Sequence, residues 1–154
     1  MAGNPDRLAL IVRYYDACSR ADFDGMMATL TEDATHYFLM PNPGSQAIRG
    51  GRTLAAFWQK IQARFDARWI VDSIVAEGDR AAIEWTIFWT PNRVSPRVAS
   101  RGAEFYEFRD DRIAEIRAYY HQDPELVTEL RGFDYEGRGF SLLGRESSSI
   151  TRDR

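Results

Sequence analysis

The chain predicts an α+β domain, with helices gathered in its N-terminal half and packed on an antiparallel meander of long strands. Three observations carry this. Apolar residues recur at helical spacing in three stretches of the first 65 residues, and from residue 67 the pattern changes to alternation. The segment Arg97–Asp123, RVASRGAEFYEFRDDRIAEIRAYYHQD, then places two alternating runs either side of Asp110-Asp111. That is the pattern of two long antiparallel strands joined by a tight turn.

In order along the chain, Asn4-Pro5 supplies a capping side chain followed by proline at the first helical position. Leu8, Ile11, Val12, Tyr15 and Cys18 form the apolar stripe of a helix to about Arg20. Asp22 caps a short second helix that buries Phe23, Met26, Met27 and Leu30. Thr31 to Met40 is a strand, with His36, Phe38 and Met40 on one face and Thr35, Tyr37 and Leu39 on the other. Pro41 ends it, and PNPGSQAIRGG reads as a loop, either a plain connection or a pocket rim. Thr53 to Phe65 is the third helix, with Leu54, Phe57, Trp58, Ile61 and Phe65 as one broad stripe.

Residues 67 to 77 form the next strand, and Glu77-Gly78-Asp79 a turn. Arg80 to Thr90 places Ile83, Trp85, Ile87 and Trp89 on one face and Ala82, Glu84, Thr86 and Phe88 on the other. The Trp/Ile face suits either a cavity wall or packing under a helix. After the polar turn Pro91 to Pro96 comes the long hairpin. Asp123-Pro124 repeats the cap-then-proline signature and predicts a last short helix to Leu130. Beyond Arg131, Phe133, Tyr135, Phe140, Leu142 and Leu143 are expected to tuck against the body or a partner subunit. Residues 145–154 turn polar and are expected to fray. Residues 1–144 read as one domain.

Composition narrows the function. The chain has 154 residues, 44% hydrophobic and 28% charged, with a net charge of −3. That balance fits a globular protein and gives no electrostatic case for nucleic acid or an anionic membrane. The single cysteine, Cys18, excludes an internal disulfide and points to a reducing, cytoplasmic compartment. Two histidines and one cysteine, well separated, are too few for a zinc site by themselves. No apolar run approaches a membrane span of roughly 20 residues, and the N-terminus lacks the order of a signal peptide.

Three stretches carry a family resemblance: YYDACSRADFDGMMATLTEDATHYF, IRGGRTLAAFWQKI and RGAEFYEFRDDRIAEIRAYYHQD. Over about residues 8 to 130 the chain resembles the SnoaL-like family of the nuclear-transport-factor-2-like (cystatin-related) superfamily. Asp111 stands where that family usually has a turn glycine. The resemblance implies a curved sheet wrapped round the three helices as a cone, with one deep apolar pocket. It also implies which faces point inward: His36, Phe38 and Met40; Trp85, Ile87 and Trp89; Glu104 and Tyr106; and Ile116, Ala118 and Tyr120. With Trp58 from the third helix, the apolar members of this set are the expected substrate-binding wall.

The resemblance also marks departures. SnoaL-like cyclases carry their acid/base aspartate at the position of Ala118, and alanine moves no proton. Their second polar position, on the preceding strand, falls on Glu104. Limonene epoxide hydrolases of the same superfamily use an arginine and two aspartates where this chain has Trp85, Ile87 and Ala118. The chemistry left is a carboxyl and an imidazole among apolar side chains. Glu104, between Ala103 and Phe105 in a run suited to burial, is expected to have a raised pKa and to serve as general acid or base. His36 can shuttle a proton or bind an oxyanion, or simply hydrogen-bond within the core. Tyr106 and Tyr120 can donate to a carbonyl oxygen that gains charge. His121 falls on the opposite face from Tyr120 and turns inward only if a bulge intervenes.

The expectation is a cofactor-independent enzyme that cyclises, isomerises or dehydrates a small hydrophobic, polyketide-like or cyclic substrate. A non-catalytic binding module is the alternative, favoured by Ala118. A third reading is a domain that homodimerises through the outer sheet face carrying Glu84, Thr86 and Phe88.

Overall fold

The computed structural model describes residues 4–39, 46–121, 123–125 and 127–152. Its elements run α1 (Asn4–Ser19), α2 (Phe23–Thr29), β1 (Leu30–Phe38), β2 (Gln46–Arg49), α3 (Gly51–Phe65), β3 (Arg68–Glu77), β4 (Arg80–Trp89), β5 (Val98–Arg109) and β6 (Arg112–Tyr120). The α+β class and the three N-terminal-half helices are as expected. The six strands form one open sheet in the order β2-β1-β6-β5-β4-β3.

The sheet is mixed and not wholly antiparallel, because β1 lies parallel to β6. Alternation along a strand reports which side chains share a face, not which strand lies alongside. The helices connecting β1 to the rest of the chain leave it free to enter beside β6 in either direction. β3 to β6 form the expected antiparallel meander. Its last turn is made by Asp110 and Asp111, with φ of 52° and 56°. Both residues adopt the left-handed conformation that a two-residue hairpin turn requires, and aspartate tolerates it.

The segment expected as a loop contains β2, which pairs antiparallel with β1 and buries Ile48. The first part of that loop, and Met40 with it, lies outside the described residues. Helix α3 starts at once after Gly50. At Gly51 an added Cβ would lie 2.7 Å from the Thr31 carbonyl oxygen, so only glycine lets α3 approach β1 this closely.

One face of the sheet is covered by the helices. Helix α1 is buried on more than one stripe, with Ile11 and Val12 but also Tyr14 and Ala17 inaccessible, because it is packed on the sheet and on α2. The opposite, outer face is partly covered by the chain's own C-terminal segment. Residues 123–125 and 127–130 are not helical. Asp123 accepts from the Glu125 amide, an Asx-turn contact at 2.9 Å. Thr128 and Glu129 are bonded instead to the Arg101 amide and guanidinium, at 2.9 Å each.

Residues 145–152, expected to fray, are packed. Ser148 is fully buried and its hydroxyl donates to the Val71 carbonyl at 2.6 Å. Glu146 is held by Arg97. Composition read these residues as solvated, but Ser148 and Glu146 have specific partners in Val71 and Arg97. On the outer face named for a partner, Thr86 and Phe88 are fully buried within the single chain, Thr86 bonded to Asp72 and Arg101, while Glu84 is exposed.

Candidate functional site

The register of the helix-covered face builds the site row by row. Phe38 aligns with Ala118, Ala118 with Glu104, and Glu104 with Ile83. One row to one side, His36 aligns with Ile116 and Ile116 with Tyr106. One row to the other side, Tyr120 aligns with Gly102 and Gly102 with Trp85. Gly102 has a steric role here: an added Cβ would lie 2.6 Å from Trp85 Cζ2 and 2.6 Å from Tyr120 Cβ. Its missing side chain is what allows the indole to lie across β5, edge-on to Tyr120 at 4.9 Å.

Glu104 is 5% exposed. Its Oε2 accepts two hydrogen bonds, from the Tyr15 hydroxyl at 2.7 Å and the Tyr106 hydroxyl at 2.5 Å. Among the described residues no hydrogen bond reaches Oε1. Burial pushes the carboxyl pKa up to about 7, and the two tyrosine donors hold it back from going further. The phenols respond in the opposite sense. Burial first, then the neighbouring Glu104 charge, raises Tyr15 and Tyr106 well above the usual tyrosine value, so both remain neutral donors.

A second pair stands behind the first. Trp58 Nε1 donates to the Tyr14 hydroxyl at 2.7 Å. Cys18 is buried nearby, one helical turn from Tyr14, and burial raises its thiol pKa well above the ordinary value, so it is no thiolate nucleophile.

His36 is 1% exposed. It stacks on Phe38 at 4.3 Å between ring centroids and meets Trp58 edge-on at 5.4 Å. Burial lowers its pKa to about 3, so the imidazole is neutral at physiological pH. Neither ring nitrogen has a hydrogen-bond partner among the described residues, and the same holds for Trp85 Nε1.

The other expected wall residues fall on this face. Phe38, Trp58, Ile87, Trp89, Ile116 and Ala118 are all buried. Tyr120 is half-buried. His121 is exposed, one residue past the end of β6. No bulge turns it inward, and it does not join the group around Glu104. Among the described residues, no group of three or more His, Cys, Asp or Glu is arranged to hold a metal ion, and no helix is long and apolar enough to cross a membrane.

Sequence reasoning missed Tyr14 and Tyr15, taking Tyr15 as one apolar position among several. Their signal was faint but present: a tyrosine in the most buried stripe of a core helix needs a partner for its hydroxyl. It also missed Asp72 and Arg101, a charged pair on the outer face.

The sequence matches the SnoaL-like domain family over residues 11–116. No curated protein matches the chain. Among solved structures, a protein of unknown function with a cystatin-like fold from Methylobium petroleophilum is 34% identical, with a TM-score of 0.68 over 91% of this chain and 93% of that one. An LEH-like epoxide hydrolase from M. tuberculosis is 26% identical, with a TM-score of 0.62 over 75% of this chain and 79% of the other. A candidate polyketide cyclase from Xanthomonas campestris shares the fold at 24% identity, with a TM-score of 0.65 over 77% and 93% of the two chains.

Proposed function

The chain belongs to the SnoaL-like domain family, and we propose that it is an enzyme that moves protons on a small, largely apolar substrate, with Glu104 as the general acid/base. The observation that carries this is the buried Glu104 carboxyl, bonded among the described residues only by the hydroxyls of Tyr15 and Tyr106 and raised to about 7. A group with that pKa is half-ionised at neutral pH. It can take a proton from carbon and return it in the same turnover.

The two tyrosines occupy Oε2, so the proton passes through Oε1. Abstraction next to a substrate carbonyl leaves an enolate. Its negative oxygen needs a neutral donor, and His36 supplies one, since its imidazole carries no charge. Return of the proton to a different atom gives isomerisation. Carbon–carbon bond formation by the enolate gives cyclisation, and loss of a β-hydroxyl gives dehydration. None of these steps consumes a cofactor. The likeness to an epoxide hydrolase and a candidate polyketide cyclase supports the family-level chemistry. It does not extend to their mechanisms, because Ala118 and Trp85 replace the ionisable groups the resemblance calls for.

The test is exchange of solvent deuterium into the α-carbon of a cyclic ketone, 1-tetralone, followed by NMR. The protein is expected to accelerate exchange, with a rate that rises as pH passes through about 7. Glu104→Gln should lower it by about a hundredfold or more. Equal exchange with the two proteins removes Glu104 from the role.

A second reading has an observation of its own. Ala118 faces Glu104 directly in register, so the carboxyl has no ionisable partner across the strand pair. That favours a module that holds a ligand unchanged, and ketone binding with no exchange above solvent background selects it. Self-association is a separate proposal. The outer face left open carries Val75, Phe105 and Tyr119, 71%, 43% and 47% exposed, which is where a second copy would sit.

A further inference from the structure

Helix α3 turns two different faces to its surroundings. Leu54, Ala55 and Trp58 point inward and are buried. The other side carries Arg52, Ala56, Lys60 and Arg64, each four residues after the last, so the four share one ridge of the helix surface. Arg52, Lys60 and Arg64 are exposed and Ala56 is half-buried. None of the residues of Gly51–Phe65 is acidic.

Like charges one turn apart repel, and a carboxylate at that spacing is what relieves a surface lysine or arginine. Lys60 and Arg64 stand one turn apart without one. Among the described residues no carboxylate forms an ion pair with the ridge. Asp22, at the start of α2, pairs with Arg20, and Asp66, just past the end of α3, pairs with Arg97. Arg52 and Arg64 rest over the rings of Phe23 and Phe65, at 5.2 and 5.0 Å, which leaves their charge in place. The sheet behaves differently, since Arg97, Arg101, Arg109 and Arg117 each meet a carboxylate. The chain as a whole carries −3, so the ridge is a local excess of the opposite sign.

We propose that this ridge of α3 docks an acidic amphipathic helix of another protein. Its three cations extend over about 18 Å of one helix face, which matches carboxylates repeated every fourth residue on a second helix. Ala56 in the ridge and Ala63 beside it leave room for that helix to come close, because small side chains shorten the distance between packed helices. A bilayer surface fits less well: a helix lying in one presents large apolar side chains, and none of the exposed large apolar residues lies on α3. Nucleic acid fits less well too, since away from the ridge its phosphates meet a chain of net negative charge. The docked helix sits on the back of the element that carries Trp58, outside the interior, so the inference stands apart from what Glu104 does.

The probe is a helical peptide of about 20 residues with a glutamate at every fourth position along one face. Its controls are the same peptide with lysine for each glutamate and a scramble of the same composition. Titrated into the ¹⁵N-labelled protein, the glutamate peptide is expected to shift the amides of residues 51–65 and to bind at least about tenfold more tightly than either control, the worth of three exposed ion pairs. The triple variant Arg52→Glu, Lys60→Glu, Arg64→Glu should lose that preference and bind the lysine peptide instead, a reversal that only a folded protein can show. If it does not fold, single changes of these residues to glutamine should each weaken the glutamate peptide by about twofold. Arg112→Glu, Arg131→Glu, Arg152→Glu, at exposed arginines elsewhere, should leave binding unchanged. Equal binding of the glutamate peptide and either control, shifts centred off α3, or an equal loss in the two triple variants overturns the proposal. So does tighter binding of phosphatidylserine vesicles or of a single-stranded oligonucleotide.

Discussion

Among the described residues two carboxylates are buried in this sheet, one on each face, and their surroundings divide their roles. Glu104 on the helix-covered face is bonded by two phenol hydroxyls and by no cation among the described residues. Asp72 on the outer face accepts from the Ser141 amide at 2.8 Å and the Ser141 hydroxyl at 2.7 Å through Oδ1. Its Oδ2 accepts from Thr86 at 2.5 Å and lies 3.5 Å from the Arg101 guanidinium. Burial raises both pKa values, but at Asp72 the Thr86 hydroxyl, then the Ser141 amide and hydroxyl, then the Arg101 cation pull against it. A carboxylate held by a guanidinium and a main-chain N–H keeps its charge and staples two segments. One held by hydroxyls alone keeps an exchangeable proton.

Removing the staple should have the largest effect. Arg101 donates to Thr86, Glu129 and the Ser141 carbonyl, and its guanidinium lies 4.0 Å from the centre of the Tyr135 ring. Arg101→Ala strands Asp72 as an unpaired buried charge and frees the covering segment. A loss of about 3–5 kcal/mol is expected in denaturant unfolding, with faster amide exchange over residues 128–141. A loss below about 1 kcal/mol would mean that Asp72 is not held as a charge, and the contrast with Glu104 would collapse.

Glu104, on the helix-covered face, predicts a dependence of stability on pH. The folded-state pKa of Glu104, about 7, lies above its ordinary value of 4.5. Between those values the folded chain binds more protons than the unfolded one, so stability falls as pH rises. The contribution is fully present below pH 4.5 and gone once pH has passed 7. Relative to Glu104→Gln, which cannot titrate, the wild type should lose about 3 kcal/mol across that window. Parallel stability curves for the two proteins would show that the carboxyl is solvated and would remove its claim to chemistry.

The same contrast sets how much was legible in the chain. Alternation set which residues share a face along each strand and located the turn at Asp110-Asp111, each a local fact, while the family resemblance said that the face of Glu104, His36 and Ala118 points inward. The partners of Glu104 were not local. Tyr15 lies 89 residues away, on a helix whose periodicity says only that it is buried. The outer staple was hidden for the same reason, 69 residues separating Asp72 from Ser141. The C-terminal segment looked solvated because composition counts polar groups but not their partners. His121 was drawn towards the site by its neighbours Tyr119 and Tyr120, yet β6 ends before it, and an exposed position followed.

Tyr15→Phe should have the smallest effect and be the most discriminating. It removes one of two donors to Oε2 and leaves the ring in place, with the Trp58–Tyr14 bond untouched. The lost bond stabilised the ionised carboxyl, so its pKa should move up by about one unit. The midpoint of the deuterium-exchange profile should move alkaline by the same amount. At pH 9, where the carboxyl is ionised in both proteins, the rates should nearly converge. A purely structural tyrosine would lower the unfolding temperature and leave the midpoint where it was. An acid shift would mean that Tyr15 accepts from a protonated Glu104 instead of donating to the carboxylate, and the tyrosine pair would then be holding the proton in place.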